Sequence, residues 1–158
     1  MKNINNIVIL HDIRSVENVG AIFRTADAGG VDKIYLTGYT PAPVDRFGRK
    51  RADFHKSALG AEDSVLWEQK ENFIDLLNDL KRDEYYVIAI EQDENSINYK
   101  EINIKDKNVF LVGNEVTGID KEILKLCDVV AEIPMKGKKE SLNVATSFGI
   151  ALFRILNI

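Results

Sequence analysis

Short apolar, β-branched runs alternate with amphipathic stretches along this chain, and that alternation limits the fold more than any other feature. The runs Asn6–His11 (NIVILH), Lys33–Thr37 (KIYLT), Ser64–Glu68 (SVLWE), Tyr85–Ile90, Val109–Val112 and Val129–Ile133 each read as a strand. Between them, Val19, Ile22, Phe23 and Ala26 fall at i, i+3, i+4 and i+7 of a helix. Phe73, Leu76, Leu77 and Leu80 mark a second helix ending near Arg82, and Ile119–Leu126 a short third. The last helix opens near Ser141, a good N-cap residue, and runs to the C-terminus. Strands alternating with helices predict an α/β protein: a mostly parallel sheet with helices on both faces.

A chain of 158 residues with no internal repeat, low-complexity tract or linker reads as a single domain, 1–158, large enough to bury a core. Its 45% hydrophobic and 29% charged residues describe a globular chain. The one cysteine, Cys127, has no intrachain disulfide partner. The start, MKNINNIVILHD, has too short an apolar run for a signal peptide, and no segment is long enough to span a bilayer. A cytoplasmic protein is expected. The net charge of −4 argues against polyanion binding by the whole surface, though not against a local basic patch.

Three stretches carry candidate chemistry. Ile133–Ser147 (IPMKGKKESLNVATS) links a strand end to the last helix through a flexible basic loop, the place where open α/β sheets bind ligands. The long connection from Gly38 to Ala58 carries Arg46, Arg49, Lys50 and Arg51 among Tyr39, Phe47, Phe54 and His55. Cations mixed with aromatic rings grip single-stranded nucleic acid by phosphate contact and stacking, although a solvated charged loop has the same composition. In the first helix, Gly20 lies one turn before Arg24 on the same face, leaving room for something to approach that arginine. The plainer reading is a surface Arg24–Asp27 pair with Gly20 near a frayed helix start.

Other motifs fail. Gly113 and Gly118 have P-loop spacing, but Ile119-Asp120 stands where lysine and a hydroxyl residue are required. His11, His55 and Cys127 lack metal-site spacing, so no metal is expected. No G-x-S-x-G elbow occurs.

Three motifs in order resemble the SpoU/TrmH family of RNA ribose 2′-O-methyltransferases, of the SPOUT superfamily. They are Asn18-x-Gly20-x3-Arg24-Thr25-Ala26, Leu111-Val-Gly-Asn-Glu-x-x-Gly118, and Ile133-Pro-Met-x-Gly-x3-Ser-Leu-Asn-Val144 running into Gly149-Ile-Ala-Leu-Phe153. Lys56–Ala61 and Ala89–Gln92 with Asn95-Ser96 also look like the family, so the resemblance spans essentially the whole chain. It implies a C-terminal trefoil knot, an exception to the general absence of knots. It also implies S-adenosylmethionine as methyl donor, held by Glu91 or Gln92, Gly113, Ile133, Met135, Ser141, Leu142 and Asn143. On the physical side, Gly113 lets backbone approach a ligand closely, and Ile133, Met135 and Leu142 offer apolar surface for a purine.

The resemblance makes Arg24 the catalytic candidate, with Asn18 beside it, and gives Glu115, Ser141 and Asn143 site-shaping positions. A guanidinium is almost never deprotonated in proteins. Arg24 therefore reads better as a fork that fixes the target phosphate and steadies the developing alkoxide than as the base. No separate RNA-binding extension is expected at either end. That leaves Arg46, Arg49, Lys50, Arg51, Lys136, Lys138 and Lys139 as RNA-facing candidates. The leading expectation is methylation of a ribose 2′-hydroxyl in tRNA or rRNA; the alternative is a catalytically inactive RNA-binding or assembly factor of the same fold. The last helix is apolar on two faces, Leu142–Ala145–Gly149–Leu152–Phe153–Leu156 and Val144–Phe148–Ala151–Ile155, with Ile150 also apolar. A helix apolar nearly all round needs cover on several sides, so a homodimer pairing this helix with its own copy is expected.

Overall fold

The computed structural model describes residues 4–158, so the first three residues of the amino-terminal stretch read above lie outside it. Its strands are β1 (Asn5–His11), β2 (Lys33–Thr37), β3 (Leu66–Lys70), β4 (Tyr86–Ile90), β5 (Ile97–Asn98), β6 (Lys107–Val112) and β7 (Val129–Glu132). Its helices are α1 (Val16–Ala28), α2 (Ala52–Ala58), α3 (Ala61–Ser64), α4 (Phe73–Arg82), α5 (Lys121–Leu124) and α6 (Val144–Leu156), with a 3-10 turn at Tyr99–Glu101.

The strands form one sheet in the order β3-β2-β1-β6-β4-β7-β5, with every pairing parallel. The chain builds outward first, β1 to β2 to β3 on one side and β4 with β5 on the other. Then β6 enters between β1 and β4, and β7 between β4 and β5. The sheet is therefore continuous only once the last third of the chain is in place.

Strand side chains alternate between faces, and each face has its own core. Val8, Leu10, Ile34, Leu36, Ile88, Phe110 and Val112 meet Val19, Ile22 and Phe23 of α1 and Phe148, Ala151, Leu152 and Ile155 of α6. On the other face, Ile7, Ile9, Val87, Ala89, Val109 and Leu111 meet Phe73, Leu76, Leu77 and Leu80 of α4. Both termini of the burial argument hold: the predicted stripes of α1 and α4 are buried. No helix among the described residues is long and apolar enough to cross a membrane.

Several expectations are corrected. The Gly38–Ala58 connection is not wholly irregular, because Ala52–Ala58 forms α2 with Phe54 and Ala58 buried. The third strand begins at Leu66 rather than Ser64, since Ala61–Ser64 is a helical turn. A short β5 was not expected, and α5 is only four residues. Gly20 is not in a frayed start. It is buried where α2 crosses, and a Cβ there would meet Ser57 Oγ at 2.0 Å and the Phe54 carbonyl oxygen at 3.0 Å. Its room is thus filled by α2, not left open beside Arg24.

Candidate active site

A parallel sheet brings all its strand carboxyl ends to one edge, and three of those ends make a cavity here. The loops after β4, β6 and β7 enclose 320 Å³ lined by Ile90, Glu91, Gln92, Gly113 to Gly118, Ala131, Ile133, Met135, Glu140, Ser141, Leu142, Val144 and Ser147. That size suits a small ligand or cofactor. One wall is apolar (Ile90, Ala131, Ile133, Met135, Leu142, Val144) and the rim is polar and acidic (Glu91, Glu115, Glu140). Apolar surface fits a purine, and carboxylates fit a sulfonium cation, so the residues present suit S-adenosylmethionine.

The walls are held by specific bonds. Gly113 is needed for the loop itself: a Cβ would meet Ile119 Cγ1 at 2.6 Å and the Gly118 carbonyl oxygen at 2.8 Å. The loop's own Gly118–Ile119 thus fills the space a side chain at Gly113 would need, and Gly113 itself lines the cavity. The Ile119 amide donates to Glu91 Oε2 at 3.1 Å, and the Gln92 amide to Glu91 Oε1 at 2.8 Å, so Glu91 braces the wall it lines. Gln92 Nε2 donates to the Glu140 carbonyl oxygen at 2.8 Å, tying the basic loop against the end of β4.

Asn143, not Ser141, caps α6. Its Oδ1 accepts from the Ala145 and Thr146 amides at 2.9 and 3.2 Å. Both residue types are good caps, but the helix begins two residues later than expected, which leaves Ser141 and Leu142 free to line the cavity. Asn143 itself is not in the lining. Its Nδ2 donates to Asn18 Oδ1 at 3.0 Å. Asn18 Nδ2 in turn donates to Glu115 Oε1 at 3.1 Å, and Glu115 also accepts from the Ser15 amide at 3.0 Å and the Arg14 amide at 2.9 Å. The carboxylate thus sits at the amino-terminal end of α1, where the helix dipole favours it. Partial burial opposes its charge, but these hydrogen bonds outweigh that and hold its pKa below the usual carboxylate value.

Of the expected catalytic set, Asn18, Glu115 and Asn143 form one hydrogen-bonded chain, and Glu115 and Ser141 line the cavity. Arg24 does neither. It lies six residues beyond Asn18 on α1, about 9 Å along the axis, exposed. It has no ion pair among the described residues, and Asp27, its expected surface partner, instead accepts from Ser64 Oγ at 2.7 Å. The lining residues missed from the sequence, such as Thr117, Ala131 and Ser147, sit inside or beside the recognised motifs.

The RNA-facing candidates divide. Arg49 pairs with Asp45, Lys50 with Asp63 and Arg51 with Asp53, at 2.7–2.9 Å. Arg46 has no such partner among the described residues and lies over the Phe47 ring at 4.7 Å. Lys136, Lys138 and Lys139 are exposed on the cavity loop. Because three of the four loop cations already meet carboxylates, Arg46→Ala is expected to lower RNA affinity more than Lys50→Ala. It should also reduce the salt slope by about one, against a smaller change for Lys50. Filter binding across a salt series checks this, and equal slopes for the two variants would contradict it.

Among the described residues no group of three or more His, Cys, Asp or Glu side chains is placed to hold a metal ion. Burial pushes the Cys127 thiol up to about 12, so it stays protonated.

The model described as the SpoU rRNA Methylase family matches residues 5–153. The chain belongs to that family. Among curated SpoU-type relatives, the tRNA (guanosine(18)-2′-O)-methyltransferase of Aquifex aeolicus is 31% identical over 93% of this chain and 66% of its own length. The 23S rRNA (guanosine-2′-O-)-methyltransferase RlmB of Neisseria meningitidis is 33% identical over 92% of this chain and 56% of its own. The chain thus spans between about half and two thirds of the length of these relatives. The crystal structure of an AdoMet-bound rRNA methyltransferase from Sinorhizobium meliloti superposes with a TM-score of 0.84 at 29% identity, covering 96% of this chain and 55% of that one.

Proposed function

We propose that this SpoU-family chain is an S-adenosylmethionine-dependent methyltransferase acting on a ribose 2′-hydroxyl of tRNA or rRNA. The observation that carries the reading is the junction of cavity and α1. One carboxylate, Glu115, lines the donor-sized cavity and also fixes the start of the helix that bears Arg24. The names of the Aquifex and Neisseria relatives and the donor bound in the Sinorhizobium structure support the same chemistry.

When bound, S-adenosylmethionine supplies an electrophilic methyl carbon, which the ribose oxygen takes as the carbon–sulfur bond breaks. The chain's part is to position and to stabilise charge. The apolar wall, with Ile133 and Leu142, excludes water from one side of the donor, and Ser141 with backbone groups of the 113–118 loop offers polar contacts. The charged side chain left for the substrate is Arg24, whose planar guanidinium forms the two-pronged fork that matches a phosphate. We assign it to grip the phosphate next to the target ribose and to stabilise the developing alkoxide, whose proton passes to that phosphate or to solvent water.

Arg24 does not line the cavity of its own chain, so we propose a homodimer in which it faces the partner's cavity. Leu142 and Ile150 of the α6 region are 37% and 39% exposed, and Val116 is 81% exposed, which offers apolar surface for a second copy. Mixing Arg24→Ala with the cavity-blocking Ser141→Trp under subunit exchange is then expected to restore roughly a quarter of wild-type activity, from the intact site of each mixed dimer. No recovery in the mixture, or a monomeric mass with full activity, would count against it.

We also propose that the segment after β4 is threaded as a trefoil knot. Its support is the late entry of β7 between β4 and β5 and the Gln92–Glu140 bond that holds the following loop. Stretching the unfolded chain between its ends in optical tweezers should give a length short of the full contour; the full length would rule the knot out. A cytoplasmic site of action fits an RNA substrate, and recovery in the membrane fraction would contradict it.

The reading as a whole is tested by tritium transfer from labelled S-adenosylmethionine into bulk RNA, followed by digestion to nucleosides. Label in 2′-O-methyl nucleosides is expected. RNA binding without transfer would instead support the inactive assembly factor.

A further inference from the structure

Among the four aromatic residues of the long connection after β2, burial and pairing separate one from the rest. Phe54 is fully buried in the core. His55 Nδ1 lies 2.6 Å from Glu62 Oε1. The Phe47 ring lies under two guanidinium groups, Arg46 at 4.7 Å and Arg49 at 5.1 Å. Tyr39 remains 60% exposed, and no cation or ring stacks on it among the described residues.

An exposed tyrosine on a loop ordinarily swings freely, but this one is held at both ends. Its amide donates to Asp12 Oδ1 at 3.2 Å, and its hydroxyl accepts from Asn114 Nδ2 at 2.8 Å. Asn114 is itself 8% exposed and fully engaged. Its Nδ2 also donates to the Asp12 carbonyl oxygen at 3.0 Å, and its Oδ1 accepts from the Val116 and Thr117 amides, each at 2.8 Å. Asp12 itself adopts a left-handed backbone conformation, φ 55°. The ring is thus pinned to Asn114, a residue of the cavity lining. A fixed, uncovered aromatic face beside a methyl-donor cavity is suited to stacking a base, whatever the base's identity.

We propose that Tyr39 is the stacking platform for an RNA base at or next to the methylated nucleotide, with Asn114 holding its ring in place. The inference rests on the RNA methyltransferase reading and adds the part of the substrate that this surface recognises. Fixing one base here would orient its ribose toward the cavity at little entropic cost, since the ring does not have to be ordered on binding.

Fluorescence anisotropy with two labelled single strands of about 12 nucleotides, within the usual site size, tests the stacking. One strand is oligoadenylate and the other an abasic ribose-phosphate chain of the same length. Wild-type protein is expected to prefer the base-bearing strand. Tyr39→Leu should weaken oligoadenylate binding roughly five- to hundred-fold, the usual worth of one stacked base, and leave abasic binding unchanged. Tyr39→Phe, which keeps the ring but loses its bond to Asn114, should weaken oligoadenylate binding by less than Tyr39→Leu does. Calorimetric affinity for S-adenosylmethionine should be unchanged in both variants, which shows that the Asn114 loop is intact. The proposal is overturned by equal loss on both strands, by no loss in Tyr39→Leu, or by a wild type indifferent to the bases. None of these outcomes bears on methyl transfer to bulk RNA, whose failure would show separately in the tritium assay.

Discussion

Arg24→Ala is expected to lower turnover by about two to three orders of magnitude, the usual cost of removing one donor aimed at developing negative charge. Donor affinity should be nearly unchanged, because Arg24 is assigned to the phosphate and ribose oxygen of the RNA rather than to the donor. Stability should also hold, since the side chain is exposed and has no ion pair among the described residues to lose. Lysine at the same place should recover only part of the rate, since an ammonium cannot form the two-pronged contact with phosphate. Single-turnover rates beside calorimetric donor affinities make the test. A variant with near-normal turnover would return Arg24 to the role of a surface residue.

Glu115→Ala is expected to fail in a different way. It strips acceptors from the Arg14 and Ser15 amides and from Asn18 Nδ2 together, and so loosens α1 from the 113–118 loop. A loss of about 2–3 kcal/mol in stability is expected from such partly buried, charge-assisted bonds. Turnover should fall about a hundredfold if α1 shifts by an ångström. The pH dependence has a definite sign. The pKa of Glu115 is depressed in the folded protein, against the pull of burial, by the bonds from Arg14, Ser15 and Asn18. Its contribution is therefore complete above the ordinary carboxylate pKa and is lost as pH falls through the lower folded value. Urea titrations of wild type and Glu115→Gln should diverge near neutrality and converge in acid. Parallel curves at every pH would show that Glu115 bears no such load.

How much of this was legible beforehand depended on period and length. The strands β1, β2, β4, β6 and β7 were readable because each alternates between two buried faces over four or more residues. A two-residue strand such as β5 has no period to read. The helix α2 escaped because ADFHKSA buries only Phe54 and Ala58, one turn apart, amid charge. At the site, the motifs located the cavity wall by wall: Glu91, Gln92, Gly113, Ile133, Met135, Ser141 and Leu142 all line it. What no spacing could reveal was how side chains are spent. Asn143 turns from the cavity to cap α6 and meet Asn18, Glu91 braces Ile119, and Gly113 makes room for its own loop. These are contacts between segments far apart in the chain, and they exist only once the sheet has brought them together.

The reach of Glu115 across the sequence makes two ordinary amides into gauges. Its carboxylate accepts from Ser15 and Arg14, which lie 100 and 101 residues away along the chain. Any ligand that steadies the 113–118 loop must slow hydrogen–deuterium exchange at those two positions, although neither lines the cavity. Occupancy of the cavity can accordingly be followed from the opposite end of the polypeptide, on a peptide fragment outside the cavity lining.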